Sequence, residues 1–506
     1  MDINYFDLSG GINQTTTKTE LGLNPNKIYW SDSKNIEIYN NRGIVRQQGN
    51  TLLLELPTPE SVIKMCEMEC EGSYKLVIAT ESGKIYVYND DTLSLTLLNK
   101  TLSGVKINII PFLRGVIVSS ESDAMFYLKN NENLDIEEYV VKDLNGNILY
   151  PDCINVYKGR VWCAKGSVLY YSALGTYNDF TTANDAGYIN DFHTDTDDIT
   201  SMCMYKDYLA VYKRNRVYLL SGSSPEDFAI TLFADRGAYA KNGVVNVDNK
   251  QFFLSDGIYC LEQVGELNQI RLGTEISKNI SNEFEKFDGI RIYDSFVIHY
   301  PKKHQTWYFL PYTNDSYYHT IWINDYVNHA WYKRVVPQQI TQACHFASNI
   351  VSADSEGKIY IEDHGYSFNG VGIDFMWKSP FLSLGNILHR KLIDEFYFVL
   401  DDIKDNNFHF SIFKDYDSEY QEDVELIYSK HYTHFVWSGE STPNEIQYRW
   451  SDEENDIPIW PVTTNVMEKA EICGSNYSIQ LCVEGRDITE NCAIIGLQFR
   501  EIYKDD

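Results

Sequence analysis

Between Tyr74 and Glu362 the chain repeats one pattern: short apolar runs come in pairs, split by a few turn residues. Tyr74–Asn89 reads YKLVIATESGKIYVYN, with alternating apolar positions on both sides of Glu81-Ser82-Gly83-Lys84. Arg114–Leu128 (RGVIVSSESDAMFYL) repeats it. From Tyr157 to Phe228 two more units follow. Arg160–Cys163 and Val168–Ser172 flank Ala164-Lys165-Gly166-Ser167, and Tyr208–Tyr212 and Val217–Leu220 flank Lys213-Arg214-Asn215-Arg216. Lys250–Leu261 turns at Asp256-Gly257. Gln305–Arg334 holds QTWYFLPY, HTIWINDY and HAWYKRV. Asn349–Glu362 (NIVSADSEGKIYIE) nearly copies the first unit. Paired β-rich runs around short turns predict hairpins.

Turn centres recur at roughly 40–50 residues, the period of a four-stranded propeller blade. The sequence therefore predicts an all-β protein whose residues 34–369 form a β-propeller of about six or seven blades. The pair of strands within Lys34–Gln48, turning at Asn40-Asn41-Arg42-Gly43, is the expected partner that shuts the ring. No Trp-Asp dipeptide signature accompanies the repeats. One helical stretch interrupts them: in Thr274–Phe287, Ile276, Ile280, Phe284 and Phe287 fall at helical spacing, with Thr274 or Ser277 as cap.

Residues 1–33 are polar and rich in Gly, Asn and Thr, and read as an extended arm. After Gly370 the spacing ends. Longer runs at Ile373–Trp377, Leu392–Leu400, Asn407–Phe413, Tyr477–Val483 and Ala493–Tyr503 predict a C-terminal β-sandwich-like domain over 370–506. Within it, residues 415–461 form an acidic, aromatic insertion containing Trp437, Trp450 and Trp460.

Composition narrows the function classes. Among 506 residues, 72 are acidic and 43 basic, a formal charge of −29, opposite to what a phosphate-gripping surface needs. Solubility accounts for such a charge, and so does a surface that must not adhere to passing DNA. The 38 Tyr suit strands and half-wet interfaces. Ten Cys are scattered. Cys163, Cys203, Cys260 and Cys482 fall in strands and read as buried thiols, and Cys66-x-x-x-Cys70 has no second pair to make a zinc site. A reducing place of synthesis follows. The N-terminus MDINYFDLSGG lacks the basic start and apolar core of a signal peptide, and no long apolar run predicts a membrane span.

Motifs for chemistry are sparse. There is no phosphate loop, nucleophile elbow or His-Glu-x-x-His. His193, Asp195, Asp197 and Asp198 in the run 191–198 could hold a hard cation, but the run lacks the Gly and Glu of a calcium loop and reads first as a solvated edge. His299, His304 and His319, near Trp307 and Trp322, read as strand-surface or core residues. Lys213-Arg214-Asn215-Arg216 is the densest basic group and reads as a solvated hairpin tip. No catalytic, cofactor-binding or metal residue is assigned.

Several stretches together resemble a phage family. DLSGGIN, followed by SKNIEIYNNRGIVRQQGN, is similar to the N-terminal signature of podovirus tail-nozzle and packaged-DNA stabilisation (head-completion) proteins. Gly10, Gly11, Ile12, Asn13, Asn35, Gly43, Arg46 and Gly49 fill its places. GRVWCAKGSVLYYSALGTYNDF through YKDYLAVYKRNRVYLLSGSSPEDF is similar to the family's middle propeller segment, and FFLSDGIYCL to its next blade. The likeness runs from about residue 8 to 365, and the chain is much shorter than the longest nozzles, which implies that their extra distal domains are missing. The resemblance implies a non-enzymatic virion protein made in the host cytoplasm and built into a short tail, without cofactors. It implies a homo-oligomeric ring of six subunits below the portal and adaptor proteins, in contact with tail fibres or other tail proteins. That ring would hold packaged DNA and conduct it during ejection without sequence-specific binding or stable membrane insertion. Six copies would carry roughly six times −29, a lining that repels phosphates. The alternative is a carbohydrate-binding or glycoside-hydrolysing β-propeller, which would need two carboxylates in one pocket.

Overall fold

A computed structural model describes residues 2–23, 26–70, 72–143, 145–192, 195–264, 269–401, 408–417, 421–424, 426–427, 436–438, 449–451, 465–470, 475–485 and 493–505. The chain forms two units, Gln48–Gly370 and, around it in sequence, Met1–Gln47 with Val371–Asp506.

Gln48–Gly370 is a seven-bladed β-propeller. Blades 1 to 6 are consecutive four-stranded antiparallel meanders. Their innermost strands are Val62–Cys70, Asn108–Phe112, Cys153–Tyr157, Ile199–Tyr205, Val244–Val247 and Phe296–Tyr300. Blade 7 contains Ile340–Phe346, Asn349–Asp354 and Lys358–Glu362, and it takes Asn50–Glu55 from the start of the unit as its next strand. The repeated hairpins of the sequence are the second and third strands of each blade. They were legible because both faces are covered: Gly115–Ser119 and the first four residues of Met125–Lys129 are buried throughout. Alternate side chains then pack against the blades on either side. Val77, Ala79, Val116 and Val118 share one core between blades 1 and 2, while Ile117, Val161 and Cys163 share another between blades 2 and 3. Burying a large aliphatic side chain in this way contributes about 1.5–3 kcal/mol.

Tight turns and tyrosines set the blade geometry. Between the first and second strands lie two-residue loops with left-handed backbone: Lys158-Gly159, and Ala347-Ser348 with φ of 46° and 66°. Tyr157 and Tyr205 end their innermost strands, and each donates its hydroxyl to such a turn in the following blade. Tyr157 Oη is 2.6 Å from the Asp207 carbonyl and Tyr205 Oη is 2.7 Å from that of Asn249.

Ring closure corrects the sequence expectation. The strands Ile36–Tyr39 and Gly43–Arg46 pair with each other and then with Ala493–Asp505, in the other unit. The closing strand is Asn50–Glu55, and the propeller boundary falls at Gln48, not residue 34. Arg334, from the last strand of blade 6, is fully buried there. Its guanidinium meets Glu362 at 2.5 Å and donates to the carbonyls of Gln48 (2.6 Å) and Gly49 (2.8 Å). Glu362 also accepts from Asn50 Nδ2 (3.0 Å) and Ser352 Oγ (2.6 Å). One buried ion pair thus ties blade 6, blade 7 and the borrowed strand together. Gly49 is required where the chain enters, because a Cβ would lie 1.8 Å from the Ser367 carbonyl.

The other unit is built of two sheets. One runs Ile36–Tyr39, Gly43–Arg46, Ala493–Asp505, Arg390–Asp401, Asn465–Ala470, Leu426–Ile427, and the other runs Asp32–Lys34, Phe375–Lys378, Ile479–Gly485, Phe408–Lys414, Gln421–Val424. Phe398 of the first and Phe410 of the second meet with ring centroids 4.2 Å apart. Residues 1–33 are an integral part of this unit instead of a separate arm. Ile3–Tyr5 pairs with Ala493–Asp505, Leu8 and Ile12 are fully buried, and Trp30 donates its indole N–H to the Leu8 carbonyl at 2.6 Å. Much of the insertion 415–461, Trp460 included, lies outside the described residues. Within it Val436–Ser438 pairs with Arg449–Ser451, which sets Trp437 opposite Trp450 in register.

The helical stretch also differs from expectation. Lys278–Lys286 is 3-10 helix broken at Ile280, and Ser277 caps no helix N–H; its hydroxyl accepts from Ile258 N at 2.9 Å.

Candidate functional site: the axial cavity of the propeller

The seven innermost strands, with the residues just before and after some of them, line a cavity of about 550 Å³. Hydrogen bonds between neighbouring blades set its wall. Gln342 of blade 7 donates to the Ile63 carbonyl of blade 1 at 3.1 Å, and Asn155 of blade 3 donates to the Met202 carbonyl of blade 4 at 2.7 Å. Ser201 of blade 4 donates to the Lys241 carbonyl, ahead of blade 5, at 2.7 Å. Asn242 is pinned in turn, its carbonyl accepting from Val297 N of blade 6 at 3.0 Å. The backbone that presents Lys241 and Asn242 is therefore held from both sides.

Two ammonium groups lie in this wall, Lys64 from blade 1 and Lys241. Lys64 Nζ reaches across to Asn242 Oδ1 at 3.2 Å. Burial lowers the proton affinity of both, and their mutual repulsion adds to the effect on Lys241, whose pKa falls to about 8. Ile109, Ile154, Met202 and Ile298 supply apolar surface. Cys153 and Cys203 are pushed up to about 12 by desolvation, so these thiols stay protonated and are not nucleophiles. Among the described residues lining the cavity there is no Asp or Glu. The two-carboxylate machinery of glycoside hydrolysis is therefore not assembled in this wall.

The residues singled out from sequence fall elsewhere, with two exceptions, His299 and Cys203. His299 does line the cavity; its Nε2 is 3.0 Å from Tyr326 Oη, and burial lowers its pKa. His304 sits at a left-handed turn position, and His319 lies 3.8 Å from Asp315. Trp307 and Trp322 are core residues. Cys163, Cys260 and Cys482 are buried free thiols, and Cys203 is half-buried at the cavity. Cys66 is a free thiol; the side chain of Cys70 lies outside the described residues.

The acidic run and the basic turn prove to be one structure. Lys213 is fully buried, not solvated, and Asp195 is nearly so. The Asp195 carboxylate lies 3.4 Å from Lys213 Nζ and 3.4 Å from Arg216, and it accepts from Tyr218 Oη at 2.8 Å. Lys213 Nζ also donates to the Asp195 carbonyl at 2.8 Å and sits 4.5 Å from the Phe192 ring centroid. Burial pushes the Asp195 carboxyl upward. The Asp197 N–H, the Tyr218 hydroxyl and the Lys213 ammonium more than offset this and leave its pKa below the usual value. A cation held by Asp195 is thus already present as lysine. His193 lies outside the described residues, and among those described no cluster of metal-ligating side chains occurs.

The glycine-rich N-terminal signature has a structural role at each place. A Cβ on Gly10 would lie 2.3 Å from the Ile28 carbonyl, and Gly11 has φ of 67°. Asn13 Oδ1 accepts from the N–H groups of Thr15 and Thr16. Asn35, buried with φ of 53°, donates to the Asp374 carbonyl at 2.8 Å. A Cβ on Gly43 would meet the Ile494 carbonyl at 2.8 Å, and Arg46 is buried.

The fold defines a β-propeller protein with a cavity on the propeller axis. No family model matches the chain, and no curated protein matches it. Among solved structures, a virginiamycin B lyase from Staphylococcus aureus aligns at 13% identity and a TM-score of 0.40, over 63% of this chain and 98% of that one. A chain of a mitotic checkpoint complex aligns at 11% identity and TM-score 0.38, over 63% and 94%. The computationally designed Ika8 protein aligns at 10% and 0.38, over 62% and 99%. Among the described residues, no helix is long and apolar enough to cross a membrane.

Proposed function

We propose that this chain is a structural virion protein of a short-tailed phage. In this reading it forms a homo-oligomeric nozzle or hub ring beneath the portal and adaptor, retains packaged DNA and conducts it during ejection. The observation that carries the reading is the ordered set DLSGGIN, SKNIEIYNNRGIVRQQGN and the middle propeller segment, set on a propeller with a second β unit. The N-terminal signature residues hold backbone in place. The DNA channel of the proposal lies between subunits, not along the propeller axis, and its charge follows from the −29 of each chain. Blades with short, protected edges suit a part that bears internal pressure.

Particles assembled without the protein test this. They should contain portal and adaptor but lose their genome to nuclease, and purified protein should add to portal–adaptor complexes. Full, nuclease-resistant particles lacking the protein would defeat the proposal.

A further inference from the structure

The axial cavity pairs two features that the tail reading does not use. Lys64 and Lys241 line one cavity, and Lys64 Nζ bonds the side chain of Asn242, the residue next to Lys241. In a chain with 72 acidic residues, none is ion-paired with either ammonium among the described residues. Elsewhere in the propeller, fully buried Arg334 is matched with Glu362 and fully buried Lys213 with Asp195, while Lys75 donates to the Asn131 carbonyl. Both lysines are half-buried, and Asp152, a carboxylate that attracts Lys241, is itself bridged to Lys165 at 2.8 Å. Withdrawing two like charges from water without an ion-pair partner is costly, so their presence in a cavity lined by no Asp or Glu marks a place for an anion supplied from outside.

We propose that the axial cavity binds a small phosphate dianion, with Lys64 and Lys241 as its cationic ligands. Asn242, bonded to Lys64 and anchored through Val297 N, holds the first lysine in place. Ser201, bonded to the Lys241 carbonyl, holds the second. A volume of about 550 Å³ exceeds what phosphate alone needs, and Ile109, Ile154, Met202 and Ile298 offer an apolar wall to an organic body. The groups facing Lys241 are Cys153, Lys64, Asp152 and Lys106, and those facing Lys64 include Cys66 and Cys344. This inference goes beyond the tail reading and is tested on the free chain, so a negative result leaves that reading untouched.

The test is isothermal calorimetry and thermal unfolding of the full chain with inorganic phosphate and with phenyl phosphate, at fixed ionic strength. Saturable single-site binding and a rise in melting temperature are expected. Lys64→Gln and Lys241→Gln should each weaken binding by about tenfold or more, as expected for loss of a charge-assisted hydrogen bond, while Lys241→Arg retains it. Tighter binding of phenyl phosphate assigns the site to a phosphomonoester, and equal binding assigns it to the free anion; either supports the site. In the unsubstituted protein, phosphate should slow reductive methylation of Lys64 and Lys241 as mapped by mass spectrometry. Absence of binding by both probes at millimolar concentration, or affinity unchanged in Lys241→Gln, would overturn the proposal.

Discussion

Replacing Arg334 with Met should open the propeller at its seam. The guanidinium and the Glu362 carboxylate are 1% and 0% exposed and 2.5 Å apart. Removing one partner of such a pair costs about 3–5 kcal/mol, because the other charge stays buried. Arg334→Met also strips donors from the Gln48 and Gly49 carbonyls, each worth about 1–3 kcal/mol when left unmet. Local relaxation recovers part of this, giving an expected loss of about 5 kcal/mol. With a urea slope of ~3 kcal/mol/M the midpoint should fall by about 1.5 M. Trp307, whose ring centroid lies 5.3 Å from the guanidinium, gives a local fluorescence signal for the propeller. Hydrogen exchange should show the amides of Asn50–Glu55 losing protection before those of blades 2 to 5. Combining Arg334→Met with Glu362→Gln should cost less than the sum of the single changes by about 2 kcal/mol, since the two residues act as one pair. A shift under about 0.3 M, or strict additivity of the two changes, would refute the view that this pair closes the ring.

Asp195→Asn should destabilise blade 4 by about 3 kcal/mol, because it leaves the buried Lys213 without its counter-charge; calcium should not stabilise the parent protein in a thermal melt. Tyr157→Phe and Tyr205→Phe should each cost about 1 kcal/mol in urea unfolding, and additively, since they bridge different blade pairs. Lys241→Met, in phosphate-free buffer, should be more stable than the parent below about pH 8. Folding lowers the Lys241 pKa from 10.5 to about 8, so the unfolded state binds more protons between those values and the parent gains stability as pH rises. The advantage of Lys241→Met, about 3 kcal/mol below pH 8, should therefore vanish by about pH 10.5, and a constant difference across a pH series of melts would contradict it.

The hairpins were legible because their strands are buried on both faces and bounded by glycine or asparagine turns. Outermost strands were not. Ser94–Thr101 and Gln269–Leu272 are mostly exposed and leave little apolar alternation to read. The closing strand could not be placed from local pattern, because Asn50 and Glu362 are 312 positions apart. The hairpin Ile36–Tyr39 and Gly43–Arg46, expected to close the ring on its turn signal, is engaged by Ala493–Asp505 instead. The axial lysines gave no signal, since Lys64 and its partner Asn242 lie 178 positions apart and meet only through the ring. Lys213 was misjudged because a basic tetrad at a turn looks solvated until its carboxylate partner is known.

The borrowed strand also dictates a timetable for synthesis. Asn50–Glu55 leaves the ribosome some 303 residues before Lys358, the first residue of the strand it pairs with (358 less 55). At about 5–20 residues per second, that is a wait of roughly 15–60 s. Residues 1–47 wait longer still for Ala493–Asp505. Nascent chains therefore trail an unmatched β edge through most of translation.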